Sequence, residues 1–316
     1  MVAASTIAEI IINGLQQGAI FALLGIGLTI ILGTMNFLNL AHGALYLVGA
    51  YVAMLLFRET QLTGGLLSEY GFTTVGVDGG FLLALVFVPV IGLVVGAVME
   101  RYVANPFYDR PETDQLLVTF GLALIIEELI RRTFGGATFQ AITPGEVLGM
   151  SVSGSVNLPV VGSYSAWRLW LIGITLGVIG VTYLIIERTD FGLVVQAGTQ
   201  DSEMVRLMGI RITRSYSLVF ALGAALAAFA GFMGVTFQTV NPQIGTQRAL
   251  IPAFLTIVVG GAGNVLGAIV GGFVLGITLA AMVAVAAQWS QIVLYGVAAL
   301  VLLIRPEGLL GSAVEH

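Results

Sequence analysis

Residues 7–57 read IAEIIINGLQQGAIFALLGIGLTIILGTMNFLNLAHGALYLVGAYVAMLLF. A long apolar run, Ile7–Leu32, is followed by a short polar break, Gly33–Gly43, and a second apolar run from Leu45 to Phe57. At ~1.5 Å per residue the first run is longer than a ~30 Å hydrocarbon core. It is therefore expected to be tilted or interrupted, with Gly14, Gly18, Gly25 and Gly27 as the places to do so. No basic segment precedes it, and it is too long for a signal-peptide core, so it is expected to be a first membrane helix.

The same texture continues along the chain. Of 316 residues, 58% are hydrophobic and 9% charged, where a soluble domain carries roughly a quarter charged residues. That leaves too little polar surface to cover a water-soluble globule. Further apolar runs lie near 81–98, 115–134, 167–186, 216–240, 250–287 and 291–304. The expected fold is all-α, a polytopic membrane protein of about eight transmembrane helices, with 1–316 as a single transmembrane domain in the cell membrane. The 250–287 run is split by Gly260, Gly261, Gly263 and Asn264, which predicts a half-helix, a turn and a full helix, a broken or re-entrant element.

Several chemistries are excluded. There is no cysteine, hence no disulfide, thiolate metal site or catalytic thiol. There is no lysine, hence no phosphate-binding loop of the Gly-rich, Lys-ending kind. The net charge of −5 argues against a nucleic-acid partner. Neither a metal nor a cofactor is implied.

Four constellations remain. In the break, Asn36, Asn39 and His42 place two carboxamides and an imidazole between apolar runs. Non-helical backbone at membrane depth is tolerated only where protein or a water-filled cavity covers it. These groups therefore either line a pathway or cap two helices at an interfacial turn. The Gly260–Gly261 break with Asn264 is either a half-helix end presented to a cavity or a tight turn between helices. Glu127, Glu128, Arg131 and Arg132 are expected to pair at i,i+4 as an interfacial cluster, with a proton relay as the sharper alternative. The stretch 187–214 is the most charged. Within it, Asp201–Met208 can form a short helix with Met204, Leu207 and Met208 on one side and Asp201, Glu203 and Arg206 elsewhere, ended by Gly209. Such a helix suits a groove on a partner, the lipid headgroup layer, or simply solvent. Arginine placement favours a cytoplasmic side holding 100–114, 187–214 and the segment from Arg305 onward, seven arginines against five.

In residue order the chain resembles the LivH-type permeases of branched-chain amino-acid ABC importers. The resemblance rests on 22–51, on Glu100-Arg101, Arg110-Pro111 and Thr119–Gly121, on 187–231, on VVGGAGNVLGAIVGGFVLG at 258–276, and on RPEGLLG at 305–311. Ala44 departs from the pattern, standing where relatives often carry an acid. Sugar permeases of the same architecture differ at NFLNLAHG, which disfavours a sugar. The resemblance implies a non-enzymatic permease subunit that works with two cytoplasmic ATPase subunits, a second permease of the same family and an external substrate-binding protein. Leu, Ile or Val would be the cargo. On it, Asn36, Asn39, His42, Gly260, Gly261 and Asn264 belong to the translocation path, and Asp201–Gly209 couples to an ATPase. A permease for urea or short amides, or a stand-alone transporter or channel without an ATPase, is the alternative.

Overall fold

The computed structural model describes residues 4–147, 149–200, 202–208 and 212–311, with backbone alone at 199, 200, 202, 203, 206 and 212–214. Helix α1 spans Ala4–Met35 without interruption and α2 spans His42–Phe57. A short α3 (Leu66–Glu69) lies between the small strands β1 (Thr60–Gln61) and β2 (Thr74–Val75), which pair antiparallel. Helix α4 (Gly80–Met99) runs into a π-helical turn, Glu100–Ala104, and α5 spans Glu112–Phe134. Two antiparallel hairpins follow, β3 (Glu146–Val147) with β4 (Met150–Ser151) and β5 (Ser155–Leu158) with β6 (Gly162–Ser165). Then come α6 (Ala166–Arg188), α7 (Asp190–Gln200), α8 (Ser202–Leu207) and α9 (Ile212–Val235). A π-helical turn, Gly245–Leu250, leads into α10 (Ile251–Gly260), followed by α11 (Val265–Ala286) and α12 (Ser290–Ile304).

The apolar core is helical. Among the described residues, five stretches are long and apolar enough to cross a membrane: Ala4–Met35, Gly80–Phe107, Ala166–Arg188, Ser215–Val235 and Val265–Ile304. Length and composition thus carry five of the eight expected crossings. Helix α2 and the run Gly245–Gly260 are shorter, and α5 carries charges at both ends. The 40-residue stretch Val265–Ile304 is far longer than one crossing needs. It breaks at Ala286, whose backbone leaves the helical region, and α12 turns back to pack on α11 and α10. The three hairpins are an addition to the all-α expectation. Their strands sit in polar loops, where serine, asparagine and glycine mask the pairing signal.

Burial separates centre from periphery. The apolar windows of α1 and of 215–235 are 89% buried, against 28% for those of α4, α6 and α11. Helix α1 is the hub, packed by α6, α7, α9, α10 and α11. Its four glycines do not break it, as expected from its length. They admit neighbours instead: a Cβ at Gly14 would meet the Ile277 backbone at 2.7 Å, and one at Gly18 would meet Phe273 at 2.8 Å. On the other side of this seam, Gly272 abuts Ala22 and Gly276 abuts Gly18, so α1 and α11 run antiparallel at close range. Lipid offers helices no hydrophobic drive to associate, and small residues let dispersion between backbones do the work.

The half-helix, turn and full helix predicted for 250–287 are all present. The turn after α10 needs glycine at Gly261 and Gly263, whose φ values are +105° and +78°. Asn264 caps α11, its Oδ1 accepting from the Gly267 N–H at 2.9 Å. The carbonyls at the end of α10 would lack partners. The RPEGLLG segment supplies them: Leu309 N–H donates to Val259 O at 2.8 Å and Leu310 N–H to Gly260 O at 3.0 Å. The Asn264 amide donates to Leu310 O at 2.6 Å, closing the hook. Two motifs 46 residues apart at the Asn264–Leu310 contact therefore form one unit.

The loops divide between two ends. The Asn264 turn, the 305–311 hook, the end of α6 and α7 gather with the C-terminal end of α1. At the other end, Tyr164 of β6 and Arg168 reach Asn13 near the start of α1, and Phe139 pairs with Val240. With arginine placement assigning the α7–α8 end to the cytoplasm, single cysteines in this cysteine-free chain test the sidedness. Ser163→Cys should react with an impermeant thiol reagent from outside intact cells and Asp109→Cys only after the membrane is opened; the reverse pattern means that the chain is inverted.

Candidate functional site

The break at 36–41 is the point where the chain leaves regular structure between two buried helices. Helix α1 ends at Asn36, whose φ of +49° is left-handed and whose N–H still donates to Leu32 O at 2.9 Å. Asparagine tolerates this conformation better than other non-glycine residues. The chain then doubles back alongside α1, so that His42 at the start of α2 reaches Leu24 O, with its Nε2 at 3.1 Å. Residues 37–41, outside regular helix, are thereby carried into the interior.

Their polar groups are met by α5. The Gln115 Oε1 accepts from Leu38 N–H at 3.3 Å, and the Thr119 Oγ1 accepts from Leu40 N–H at 3.1 Å. Gln115 and Thr119 are 3% and 1% exposed, one helical turn apart on one face of α5. Gln115 is itself held by donating to Phe107 O and Arg110 O. Beside it, Phe37 packs edge-on against Tyr108 at 5.5 Å and tilted against Phe220 at 6.2 Å. Tyr108 donates to Glu100 at 2.9 Å and Ser217 donates to it at 2.6 Å. Glu100 is 1% exposed and accepts from both of these hydroxyls. Burial, with Glu100 adjoining, raises the Tyr108 phenol above the ordinary tyrosine range, which keeps it a donor.

The sequence-derived positions are not gathered in one place. Asn36 is exposed and lines a cavity of about 840 Å³ at the α7–α8 end, together with Thr29, Thr34, Glu187, Gln196 and Asn264. Asn39 and His42 are fully buried and line none of the described cavities. Among the described residues, neither the amide nitrogen nor the oxygen of Asn39 has a hydrogen-bond partner, and the His42 Nδ1 and Thr29 Oγ1 also have none. Gly260 and Gly261 form the turn that the hook closes, packed against Gly267 and Gly311. No group of three or more histidine, cysteine or acidic residues able to hold a metal occurs among the described residues.

In α8, Met204, Leu207 and Met208 are 53%, 77% and 73% exposed, while Val205 is buried. Asp201 and Gly209 lie outside the described residues. Helix α7, which contacts α8, puts Val195 and Gln196 into the wall of the 840 Å³ cavity. The expected i,i+4 pairing in α5 is replaced by a bidentate i,i+3 pair, Arg131 to Glu128 at 2.7 and 2.8 Å, while Glu127 accepts from Thr246 at 2.9 Å. Both members of the pair are more than half exposed, where such a contact is worth about 0–1 kcal/mol. Sequence reading did not identify Gln115 as a support of the break. Its only signal is the i,i+4 spacing with Thr119 on an otherwise apolar face.

Residues 10–302 match the family model described as the permease component of branched-chain amino acid transport systems. The chain is 29% identical over 307 residues to the high-affinity branched-chain amino acid transport system permease protein LivH of Escherichia coli K12, covering 95% of this chain and 94% of that protein. It is 31% identical over 306 residues to the corresponding protein BraD of Pseudomonas aeruginosa, with the same coverages. It is 25% identical over 316 residues to the permease protein LivM of Salmonella typhimurium, covering 92% of this chain and 68% of that one. No solved structure gives a significant match.

The support of the break by α5 has a direct consequence for stability. Thr119→Val keeps the shape of the side chain but removes the acceptor for Leu40 N–H, and an unsatisfied buried donor costs about 1–3 kcal/mol. Thermal unfolding of the purified protein in detergent should shift down by several degrees for Thr119→Val and for Gln115→Leu. Thr119→Ser should hold near the parent value. An unshifted Thr119→Val would mean that the break finds its partners elsewhere.

Proposed function

The chain belongs to the family of permease components of branched-chain amino acid transport systems, and from that premise we propose that it forms half of the membrane pathway of an ATP-driven importer for Leu, Ile and Val. The observation that carries the reading is the unbroken match over 10–302, which spans the break, the α7–α8 segment and the Asn264 turn together. The relatives matched over nearly their whole length are named for high-affinity branched-chain amino acid transport. Neither urea, short amides nor an ATPase-free channel is favoured by them.

In this proposal α1, α2, α4, α5, α6, α9, the re-entrant α10–α11 pair and α12 all contribute to the membrane domain. ATP hydrolysis belongs to two cytoplasmic partner subunits, a second permease completes the pathway, and an external binding protein delivers the cargo. A match to both LivH-named and LivM-named permeases supports the pairing of two related chains. A branched-chain amino acid is a zwitterion without net charge. Its path needs polar lining but no buried full charge, and the Thr29, Thr34, Asn36 and Asn264 side chains of the inner cavity meet that need.

Coupling follows from connectivity. Met204, Leu207 and Met208 present an apolar surface at the cavity end, which suits docking into a groove of an ATPase. Helix α7 links α8 to the cavity wall through Val195 and Gln196, so that displacement of α8 reaches the cavity in one step. Asn36, Asn39, His42, Gly260, Gly261 and Asn264 remain assigned to the pathway, with Asn39 and His42 becoming accessible only when the break moves.

Reconstitution with the partner ATPases, the second permease and the binding protein tests the proposal. ATP-dependent uptake of leucine, isoleucine and valine should be absent when this chain is omitted. An unpaired charge buried in a docking groove costs several kcal/mol, so Leu207→Asp should lower uptake at least tenfold and release the ATPase on purification, while Leu207→Met keeps both. Wild-type coupling in Leu207→Asp would remove α8 from this role and leave the 100–114 loop as the next candidate.

A further inference from the structure

A second cavity, of about 400 Å³, opens at the end of the molecule opposite α8, between the first turns of α1, the start of α6 and the last turns of α11. Its wall combines an acid, Glu9, and a base, Arg168, with the carboxamides of Asn13 and Gln16 and an apolar side made by Ile10, Leu279 and Val283. Glu9 and Arg168 do not pair with each other; the one ion pair among the described residues is Arg131–Glu128.

The two charges are held apart by local structure. Arg168 donates from Nη1 to the Asn13 Oδ1 at 2.9 Å, and the same oxygen accepts from Tyr164 at 2.7 Å. Asn13 thus orients the guanidinium while using one of its five N–H donors, and leaves others for a planar carboxylate. Gln16 adds a second carboxamide to the cavity wall.

We propose that this cavity is a weak capture subsite for a zwitterionic amino acid with an aliphatic side chain, Arg168 binding the carboxylate, Glu9 the ammonium, and Ile10, Leu279 and Val283 the side chain. The proposal rests on the branched-chain amino-acid reading above and adds to it a place on this chain where cargo is held before it enters the membrane interior. Two opposite, unpaired charges match the two ends of the ligand. Both charges stand in partly hydrated surroundings, where each contact contributes little. The subsite therefore binds with a Kd on the order of millimolar, weak enough for onward release.

The test uses the complete transporter in nanodiscs, without binding protein or nucleotide, and L-leucine as the probe, followed by saturation-transfer NMR. The parent should bind leucine in the millimolar range. Arg168→Gln and Glu9→Gln should each weaken binding at least fivefold, and Arg168→Lys should stay within about twofold of the parent. Glu9 is exposed, so its substitution reads the subsite without threatening the fold. Two analogues assign the roles. Binding of 3-methylbutylamine, which lacks the carboxylate, should be insensitive to Arg168→Gln, and binding of 4-methylpentanoate, which lacks the ammonium, should be insensitive to Glu9→Gln. Absence of leucine binding to the parent, parent-like binding in both charge-removing variants, or analogues that bind as well as leucine would overturn the subsite. If that happens while ATP-driven leucine uptake persists, the permease reading stands and only the subsite falls. If the reconstituted transporter moves none of Leu, Ile and Val, the reading itself has failed.

Discussion

Backbone that leaves a helix inside a membrane must find its hydrogen bonds in protein, since lipid offers none. In this chain that constraint falls on residues 36–41, and the Gln115 and Thr119 side chains of α5 answer it for Leu38 and Leu40. Much of the surrounding structure follows from the arrangement. Helix α5 must lie against the break, the π-helical turn and loop before it must bring Phe107 and Arg110 carbonyls to Gln115, and Tyr108 then meets Phe37 edge-on. The satisfied backbone contrasts with the side chains it carries. Asn39 is fully buried with neither end of its carboxamide paired. Structural need accounts for the backbone contacts and leaves the Asn39 side chain unexplained.

The second organising feature is the antiparallel seam of α1 and α11. Small residues close it tightly over Gly14–Ala22 and Gly272–Ile277, and a cavity opens beyond each end of it. At one end the walls come from Arg168 and Glu9; at the other they come from the Asn264 turn, α7 and the chain just before the break. The hook formed by Leu309 and Leu310 fixes the inner wall by capping α10. Helix α7, which touches α1, α6 and α9, lines this cavity with Val195 and Gln196.

The sequence made the bundle legible because apolar runs report burial directly. It also located the half-helix, turn and full helix of 250–287, since Gly260, Gly261, Gly263 and Asn264 interrupt an otherwise continuous run. The unbroken α1 was not legible: Gly14, Gly18, Gly25 and Gly27 have the same signature whether they bend a helix or admit a neighbour, and only the positions of Ile277, Phe273 and Thr256 decide between them. The pairing of Asn264 with Leu310 was hidden by a separation of 46 residues. Gln115 was passed over because one carboxamide on an apolar helix has no local partner to announce it. The hairpins went unread because two- and four-residue strands are too short for alternation to show.

The break therefore combines a backbone that stability requires and a buried carboxamide that stability does not. Measuring thermal unfolding and ATP-driven leucine uptake together, on reconstituted Asn39→Leu, separates the two. Removing an unpaired buried polar group should leave the unfolding temperature unchanged or raise it, while uptake should fall at least tenfold. Uptake at the parent rate, or a loss of stability that accounts for the loss of transport, would contradict a place for Asn39 in the pathway and return the break to a purely structural role.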